Sequence, residues 1–459
     1  MDEFDAIVVG AGQAGVPLAR DLAAAGWKTA LVERAHIGGT CYNEGCTPTK
    51  TMAASARVAY LAGRAWDYGV VAGPVHTELA EVRRRKDRLV DDWRSGAQRR
   101  LEATHGLELI WGHARFVHPH GLAVRLRDGS ERRIQAPSVF LNTGARPGVP
   151  ALPGLESVPF LDSTTIMDLD AIPERLLILG GGYVAVEFGQ MFRRFGSRVT
   201  IIQRSGALLS REDPDVAEAV AAILREDGID VLLETRTASV REAVGGGLVL
   251  EVESGPTRHT ISGSHLLVAA GRVPNTEGLD LGTAGIAVDA HGFIKANDKL
   301  ETDAPGVYAL GDVKGGPAFT HVSYDDYRII RTNLLRGGNA STAGRLVPYT
   351  VFTDPQLGRV GLTEEQALKD GRDIQVCKMP MDQVARALEV DESRGFIKVV
   401  AETGSGRILG CAVLGIDGGE LMAMLEIAIM GGVTVSSLRD AIFAHPTLAE
   451  ALNTLFSAT

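Results

Sequence analysis

Short apolar runs alternate with amphipathic stretches over the first third of the chain. Residues 4–9 (FDAIVV) and 28–33 (KTALVE) are apolar runs, and VPLARDLAAAG between them shows a helical pattern. This order predicts a strand, a helix and a second strand, which together form the building unit of a parallel sheet. The same criteria predict helices over 51–62 and 79–104 and strands around 107–111, 122–127 and 137–141.

A second unit with the same pattern begins at residue 175. RLLILG forms an apolar run, EFGQMFRRFG shows a helical pattern, and RVTIIQ forms the next apolar run. Two more strands are expected over 265–275 and 302–313. Prolines and glycines are concentrated in residues 147–154, just before this unit. Such a stretch favours a domain boundary.

From about residue 346 the pattern changes. VPYTVFTDPQLGRVG, GFIKVVAE and ILGCAVLG alternate in the manner of antiparallel strands, and helices are expected at 363–370, 418–431 and 434–439. We therefore expect an α/β fold with two similar parallel-sheet units, followed by a separate α+β domain.

The first unit carries a glycine motif typical of dinucleotide sites. Gly10, Gly12 and Gly15 directly follow the first predicted strand, and Glu33 ends the second. The glycines allow a tight turn and close approach of a pyrophosphate, the helix N-terminus attracts its charge, and the acid can bind ribose hydroxyls. We expect a dinucleotide to bind here.

The second unit carries a related motif, with Gly180 and Gly182 before the predicted helix. Its second strand ends in Gln203 and Arg204 rather than in an acid. Because no carboxylate is available for a ribose diol and an arginine is available for a 2′-phosphate, NADP is favoured over NAD. Two units of this design imply two different dinucleotides.

The stretch GGTCYNEGCTPTK at 38–50 carries the most distinctive chemistry. It places Cys41 five residues before Cys46, with Lys50 following. Cysteines this close can form an intrachain disulfide, and a helix N-terminus or a nearby positive charge favours a reactive thiolate. Two ordinary thiols in a loop are the alternative.

Composition narrows the possible partners. The net charge is −10, so neither nucleic acid nor an anionic membrane has electrostatic support as a partner. The basic cluster at 83–88 is followed by two aspartates, so a solvated helix face is expected there. The chain has only four cysteines, which is too few for a disulfide scaffold. Cys377 and Cys411 are expected to be small buried residues.

The expected location is the cytoplasm. The chain shows no long apolar run and no signal peptide before the first strand, and these are the marks of membrane insertion or export. In a reducing compartment, a paired cysteine motif is more often catalytic than structural.

Two further polar positions have both a functional and an ordinary interpretation. Asp312 follows a predicted strand, where parallel sheets bind ligands, but an aspartate is also common in turns. His445, with Glu450 five residues further on, fits an acid–base residue and its orienting carboxylate. A surface histidine and an unrelated helix glutamate are the alternative.

Together these motifs resemble the FAD-dependent pyridine nucleotide–disulfide oxidoreductases, which include dihydrolipoamide dehydrogenase, glutathione reductase and mercuric ion reductase. The resemblance covers essentially the whole chain and rests on GAGQAG, GGTCYNEGCTPTK, GGGYVAVE, AAGRVPN, TDAPGVYALGDV and AHPTLAE. It implies an FAD-binding domain over 1–146, an NAD(P)H-binding domain over 147–270, a segment over 271–343 that completes the FAD domain, and a dimerisation domain over 344–459.

The resemblance also implies roles for individual residues. Cys46 would lie against the flavin, and Cys41 would attack the substrate. Lys50 and Glu187 would form an ion pair near the flavin's reactive nitrogen. Contacts to the two cofactors, FAD and NADPH (or NADH), would come from Gly10, Gly12, Gly15, Glu33, Thr40, Lys50, Ala114, Thr143, Gly144, Asp312, Thr320, Gly180, Gly182, Tyr183, Glu187, Arg204 and Gly271.

A homodimer is implied as well. In this family the histidine that serves the thiols comes from the partner subunit, and His445, oriented by Glu450, matches it. No resident metal ion is expected.

The expected activity is transfer of two electrons from NAD(P)H through FAD and a Cys41–Cys46 redox disulfide to a small disulfide. The sequence around VFTDPQLGRVG and RALEVDESRGFIKVV most resembles mercuric ion reductases, so reduction of Hg(II) or another metal ion is the alternative. Those enzymes carry a C-terminal cysteine pair, whereas this sequence ends NTLFSAT and keeps the HPTxxE element of members that act on disulfides. Direct transfer to a quinone and a non-enzymatic redox-sensing flavoprotein are further alternatives.

Overall fold

The computed structural model describes residues 1–457, which form two units. The first contains Met1–Met52, Glu81–Gly148 and Gly271–Arg345, and the second contains the remaining described residues, including Ala53–Ala80. No helix within residues 1–457 is long and apolar enough to cross a membrane. The predicted domain boundaries remain predictions, because compact units need not coincide with family domains.

The first unit is built on an eight-stranded sheet and a two-stranded ribbon. Its strands are β1 (Asp2–Glu3), β2 (Ala6–Val9), β3 (Thr29–Glu33), β4 (Leu107–His118), β5 (Gly121–Leu126), β6 (Glu131–Gln135), β7 (Ser138–Leu141), β8 (Ala145–Pro147), β16 (Arg272–Pro274) and β17 (Val307–Ala309). The order in the large sheet is β1-β6-β5-β4-β3-β2-β7-β17. Strands β4, β3, β2, β7 and β17 pair in parallel, and β4, β5 and β6 pair antiparallel.

Side chains that alternate along β2 explain why both faces of this sheet are covered. Ala6 and Val8 pack in one buried cluster with Leu18 and Leu22 of the first helix, whereas Ile7 packs in a second cluster. Successive residues of a strand point to opposite faces, so an unbroken apolar run indicates burial on both. The helices of this unit are α1 (Gly15–Ala24), α2 (Gly39–Asn43), α3 (Cys46–Gly63), α4 (Leu79–Glu102) and α7 (Thr320–Leu335), of which α3 and α4 also contribute residues to the second unit.

The second unit contains the other nucleotide-type sheet. Its strands are β9 (Arg175–Leu179), β10 (Arg198–Ile202), β11 (Asp230–Leu232) and β15 (His265–Val268), all parallel in the order β11-β10-β9-β15. Its helices are α5 (Tyr183–Phe195) and α6 (Pro214–Glu226). An antiparallel sheet of β12 (Thr235–Glu242), β13 (Leu248–Ser254) and β14 (Thr257–Gly263) accompanies it.

The C-terminal part of the second unit is an antiparallel sheet with helices, as expected. The strands are β18 (Tyr349–Val351), β19 (Gln356–Gly361), β20 (Ile374–Pro380), β21 (Phe396–Glu402) and β22 (Ile408–Gly415), in the order β18-β19-β22-β21-β20. The helices are α8 (Glu364–Lys369), α9 (Ala385–Glu389), α10 (Gly418–Met430), α11 (Val435–Arg439) and α12 (Ala451–Ser457). Cys377 and Cys411 are each 1% exposed, which confirms that they are buried.

Two predicted strands are wrong in extent. The 265–275 run divides into β15 and β16, because Gly271 takes a φ of +114° between them. The 302–313 run contains only β17, and a 3-10 turn at Gly311–Lys314 follows it. A left-handed φ cannot continue an extended strand.

The solvated face expected at 83–88 is wrong for Lys86. Its side chain is buried, and its Nζ lies 2.7 Å from Oδ1 of Asp87.

Candidate active site

The first glycine turn joins β2 to α1 against the end of β7. Gly10 has a φ of +103°, and a Cβ there would lie 2.3 Å from the carbonyl oxygen of Asn142. A Cβ on Gly15 would lie 2.0 Å from the carbonyl oxygen of Gly10. Only glycine therefore fits at these positions, which lets the turn bring the N-terminus of α1 next to a ligand. The turn is a suitable cradle for the pyrophosphate of a dinucleotide.

Asn142 is central to this turn, and sequence reasoning missed it. Its Oδ1 accepts a hydrogen bond from the N–H of Gly15 at 2.9 Å, and its Nδ2 donates to the carbonyl of Leu310 at 3.0 Å. The side chain thus links β7, α1 and the segment after β17. The available signal was a polar residue directly after the buried run SVFL.

The predicted flavin contacts converge on one edge of the sheet. Gly10 follows β2, Glu33 ends β3, Thr143 and Gly144 follow β7, and Asp312 follows β17. These four strands are parallel neighbours, so their carboxyl ends meet where α/β sheets bind ligands. The structure therefore brings these five residues to one edge, while the contacts themselves stay predictions.

Glu33 is oriented by the backbone. One carboxylate oxygen accepts from the N–H of Ala11 at 2.8 Å, and the other from the N–H of Ala35 at 2.7 Å. Each oxygen keeps a further lone pair, so the carboxylate can still accept from a ribose hydroxyl.

The turn that carries Asp312 is held by a second residue that sequence reasoning missed. Burial raises the pKa of Asp312. Asp326 is fully buried, accepts from the N–H of Gly311 at 2.8 Å, and pairs with Lys314 at 3.3 Å and Arg345 at 2.7 Å.

Other predicted cofactor contacts also lie in the first unit. Thr143 Oγ1 donates to the carbonyl of Asn275 at 2.9 Å, and the N–H of Gly148 donates to the carbonyl of Gly271 at 2.9 Å. Thr40 lies in α2, and Ala114 is buried on β4.

The two cysteines form a thiol–thiolate pair. Cys41 lies in α2, and Cys46 is the first residue of α3. They are not joined by a disulfide in this structure. A hydrogen bond from the Cys41 thiol lowers the pKa of Cys46 to about 6, and Thr320 and Lys50 act in the same direction. The same bond raises the pKa of Cys41 above its ordinary value.

Thr320 completes the environment of Cys46. Its Oγ1 lies 3.2 Å from Cys46 Sγ, and because Cys46 carries the charge, the hydroxyl is the donor. The helix that begins at Cys46 also favours a negative sulfur. Cys46 is thus the stable thiolate, whereas Cys41 needs a base to react as a nucleophile at neutral pH.

A histidine with an orienting carboxylate lies in the second unit. Nδ1 of His445 lies 2.8 Å from one carboxylate oxygen of Glu450 and 3.1 Å from the other. The predicted pair is therefore in contact. With the Nδ1 proton facing Glu450, Nε2 is the nitrogen that can accept a proton, and the histidine side chain is 68% exposed.

The second glycine turn repeats the design of the first. Gly180 has a φ of +114°, and a Cβ there would lie 2.4 Å from the carbonyl oxygen of Ala269. A Cβ on Gly182 would meet nothing within 4 Å, which leaves room for a pyrophosphate. Helix α5 begins at Tyr183, earlier than the predicted start at Glu187.

The residues after β10 differ from an NAD-type site in the expected way. The amide of Gln203 donates to Ser205 Oγ at 2.6 Å and to the carbonyl of Ala207 at 3.2 Å, so it holds its own loop. Arg204 is exposed, and within residues 1–457 no carboxylate lies within ion-pair distance of it.

Oε1 of Glu187 accepts from the N–H of Phe352 at 2.8 Å, and its pairing with Lys50 stays a prediction.

Similar proteins point to one family. A family model described as pyridine nucleotide-disulphide oxidoreductase matches residues 4–326, and one described as its dimerisation domain matches residues 347–456. The chain is 38% identical to the probable pyridine nucleotide-disulfide oxidoreductase RclA of Escherichia coli strain K12, over 100% of this chain and 99% of that protein. It is 37% identical to a mercuric reductase of Acidithiobacillus ferrooxidans, over 98% of this chain and 81% of that protein.

A solved structure has the same fold. The Cu(II) complex of the HOCl-induced flavoprotein disulfide reductase RclA from Escherichia coli superposes with a TM-score of 0.91, at 38% identity and over 100% of both chains. The two glycine turns fit two dinucleotides, and the dimerisation domain supports a homodimer. The chain therefore belongs to the pyridine nucleotide–disulphide oxidoreductase family and is an FAD flavoprotein that uses NAD(P)H.

Proposed function

We propose that this flavoenzyme passes two electrons from NADPH, through FAD and the Cys41–Cys46 pair, to a small disulfide substrate. The observation that carries this proposal is the cysteine pair at the start of α3, in which Cys46 Sγ lies 3.2 Å from Thr320 Oγ1 and a hydrogen bond from the Cys41 thiol lowers the pKa of Cys46 to about 6. When bound, FAD supplies the two-electron chemistry that links NADPH to the dithiol.

The protein's own residues divide the work on the substrate. The Nε2 of His445, from the partner subunit, takes the proton of Cys41, and Glu450 stabilises the resulting imidazolium. Cys41 then attacks one substrate sulfur, and the leaving thiolate receives the proton. Cys46, already a thiolate, attacks Cys41, forms the Cys41–Cys46 disulfide and releases the second half of the substrate as a thiolate, which takes a proton from solvent.

The remaining site residues bind and orient the cofactors. Gly10, Gly12 and Gly15 form the FAD turn, supported by the residues named above for that cofactor. Gly180, Gly182 and Tyr183 form the NADPH turn. NADPH is preferred over NADH because Arg204 can pair with a 2′-phosphate while Gln203 offers no carboxylate to a ribose diol. The cytoplasm remains the expected location, since a reducing compartment maintains the dithiol.

The decisive experiment replaces Cys41 with alanine in the FAD-loaded enzyme. NADPH oxidation that depends on bis(2-hydroxyethyl) disulfide should fall by at least about a hundredfold, because the attacking sulfur is gone. Cys377→Ala, which removes a thiol buried in the sheet of the C-terminal part, should keep the activity. The same assay with NADH tests the cofactor preference. Disulfide reduction that persists in Cys41→Ala would rule out the proposed route.

Reduction of a thiophilic metal ion is the second candidate. It is favoured by the 37% identity to a mercuric reductase and by the similar structure described as a Cu(II) complex. Thiolates are suitable ligands for such ions. NADPH oxidation that requires Hg(II) and Cys41, with no turnover of disulfides, would establish this candidate instead. Turnover of quinones without either cysteine would establish direct transfer from the flavin.

A further inference from the structure

The loop at 203–212, which follows β10, packs directly on the second glycine turn. The N–H of Leu209 donates to the carbonyl of Gly181 at 2.8 Å. A Cβ on Gly181 would lie 2.9 Å from a side-chain carbon of Gln203. The loop therefore contacts the turn that would bind the pyrophosphate of NADPH, and it also carries Arg204, which would bind the 2′-phosphate.

The loop ends at Glu212, whose carboxylate is buried against the C-terminal sheet. Its side chain is 2% exposed, and its N–H donates to the carbonyl of Leu209 at 2.8 Å. Oε1 accepts from the hydroxyl of Tyr349 on β18, and Oε2 lies 3.4 Å from Nε of Arg359 on β19. Burial raises the pKa of Glu212, and both the Tyr349 hydroxyl and the Arg359 charge oppose this shift. These two partners therefore offset part of the cost of burying the carboxylate.

Tyr349 also contacts the glycine turn. Its ring centroid lies 6.1 Å from that of Tyr183, with the ring planes inclined at 49°. Aromatic rings attract each other at this separation. Tyr183 is the first residue of α5 and directly follows Gly182. One side chain of the C-terminal sheet thus reaches both parts of the nucleotide site, because its ring packs on the turn and its hydroxyl binds the end of the loop.

The next residue, Asp213, is anchored on the C-terminal part separately. Its carboxylate accepts from the N–H groups of Glu364 and Glu365, both at 3.1 Å, and lies 3.1 Å from Nζ of Lys398. These contacts fix the start of α6, whereas the contact between Tyr349 and Glu212 fixes the loop before it.

We propose that Tyr349 and Glu212 are positioning residues of the NADPH site, which hold the loop at 203–212 so that Arg204 reaches the 2′-phosphate. The inference rests on the proposed function and adds residues to its cofactor site. Both side chains act through Arg204 and not on the reacting atoms. They should therefore favour NADPH over NADH and leave the chemistry at the flavin unchanged.

Calorimetric titration of the FAD-loaded enzyme with adenosine 2′,5′-bisphosphate tests this assignment. The bisphosphate carries the 2′-phosphate without a nicotinamide, and adenosine 5′-monophosphate is the matched probe that lacks the 2′-phosphate. Tyr349→Phe keeps the ring next to Tyr183 and removes only the hydroxyl. It should weaken binding of the bisphosphate by roughly fivefold, the effect of one hydrogen bond, and binding of the monophosphate by less than about twofold.

Steady-state rates give a second readout. With bis(2-hydroxyethyl) disulfide as the acceptor, Tyr349→Phe should raise KM for NADPH by roughly the same fivefold and leave kcat, and KM for NADH, within about twofold. Turnover with NADH also shows that the variant is folded. The control is Tyr68→Phe, which removes a hydroxyl that donates to the carbonyl of Val390 at 2.7 Å, and it should leave both titrations and both KM values unchanged.

A double variant shows whether Tyr349 acts through Arg204. Arg204→Gln alone should weaken binding of the bisphosphate by at least about tenfold, because a charged partner of the phosphate is lost. Adding Tyr349→Phe should then weaken binding no further, since the group that it positions is already absent. Two independent contacts would instead give the product of the two losses.

The outcomes separate the two levels of the proposal. If the wild-type enzyme binds the bisphosphate no more tightly than the monophosphate, the NADPH preference of the proposed function is wrong and the inference fails with it. If the wild type discriminates but Tyr349→Phe weakens both probes equally or neither, or if the losses multiply in the double variant, the positioning role is wrong while the NADPH preference stands. The titrations need no disulfide, so a failure of disulfide reduction would leave their outcome unaffected.

Discussion

At Cys46, a residue distant in sequence helps to keep the sulfur charged. The spacing of Cys41 and Cys46 predicts a redox pair, because the two thiols are close along the chain. The hydroxyl of Thr320, 274 residues further on, contacts Cys46 at 3.2 Å, and no local pattern links these two positions. The redox pairing of the two cysteines could therefore be predicted from the sequence. The contribution of Thr320 to the lowered pKa of Cys46 could not, because it depends on the folded chain.

Thr320→Val should raise the pKa of Cys46 above its value of about 6. Valine keeps the shape of threonine and removes the donor, and a thiolate that loses a donor is protonated at higher pH. The measurement is the long-wavelength absorbance of the thiolate next to oxidised flavin, titrated with pH. This absorbance should appear at a higher pH in the variant.

The control is Thr403→Val, at an exposed turn position, which should leave the titration unchanged. An unchanged midpoint in Thr320→Val would show that its hydroxyl does not act on the thiolate.

At the scale of elements, a turn that depends on local glycines can be predicted from the sequence, whereas the end of a strand that depends on distant residues cannot. The turn after β2 is predictable because Gly10 has a left-handed φ and lies so close to the carbonyl of Asn142 that a Cβ would clash with it. The end of β17 is not predictable, because it depends on residues that are distant in sequence. Nδ2 of Asn142 donates to the carbonyl of Leu310, and the carboxylate of Asp326 accepts from the N–H of Gly311. With those backbone groups occupied, the strand expected over 302–313 stops at Ala309.

Asn142→Ala should lower the free energy of unfolding by about 1–3 kcal/mol. The variant leaves the buried N–H of Gly15 and the carbonyl of Leu310 unpaired where α1, β7 and the end of β17 meet. It should also weaken FAD retention, since the same N–H groups form the dinucleotide turn. Urea unfolding of the holoenzyme and the FAD-to-protein ratio after dialysis measure the two effects.

Asn339→Ala removes an asparagine side chain at an exposed position and should change the free energy of unfolding by less than about 0.5 kcal/mol. Equal stability and FAD content in Asn142→Ala and Asn339→Ala would contradict the assigned role of Asn142.

At the scale of the whole molecule, the architecture of each unit can be predicted from repeated local patterns. Which segments of the chain group together into one unit cannot. The two strand–glycine–helix–strand units and the C-terminal α+β part follow from short-range periodicity, and the structure confirms each. Ala53–Ala80 follows the dithiol in sequence but clusters with the second unit. That grouping depends on long-range packing, for example of Arg57 with Glu392 at 2.8 Å, which no local pattern encodes.

The homodimer gives the final prediction, because the proposed mechanism takes His445 from the partner subunit. Cys41→Ala and His445→Ala homodimers should each be inactive towards disulfides. Co-expressed, the two chains form mixed dimers in which one site pairs an intact Cys41 with the partner's intact histidine, since a two-fold dimer contains two equivalent composite sites. With random pairing, activity should recover to about a quarter of the wild-type value. If Cys41 and His445 instead served the same chain's site, both sites of every mixed dimer would lack one group, and co-expression would restore nothing.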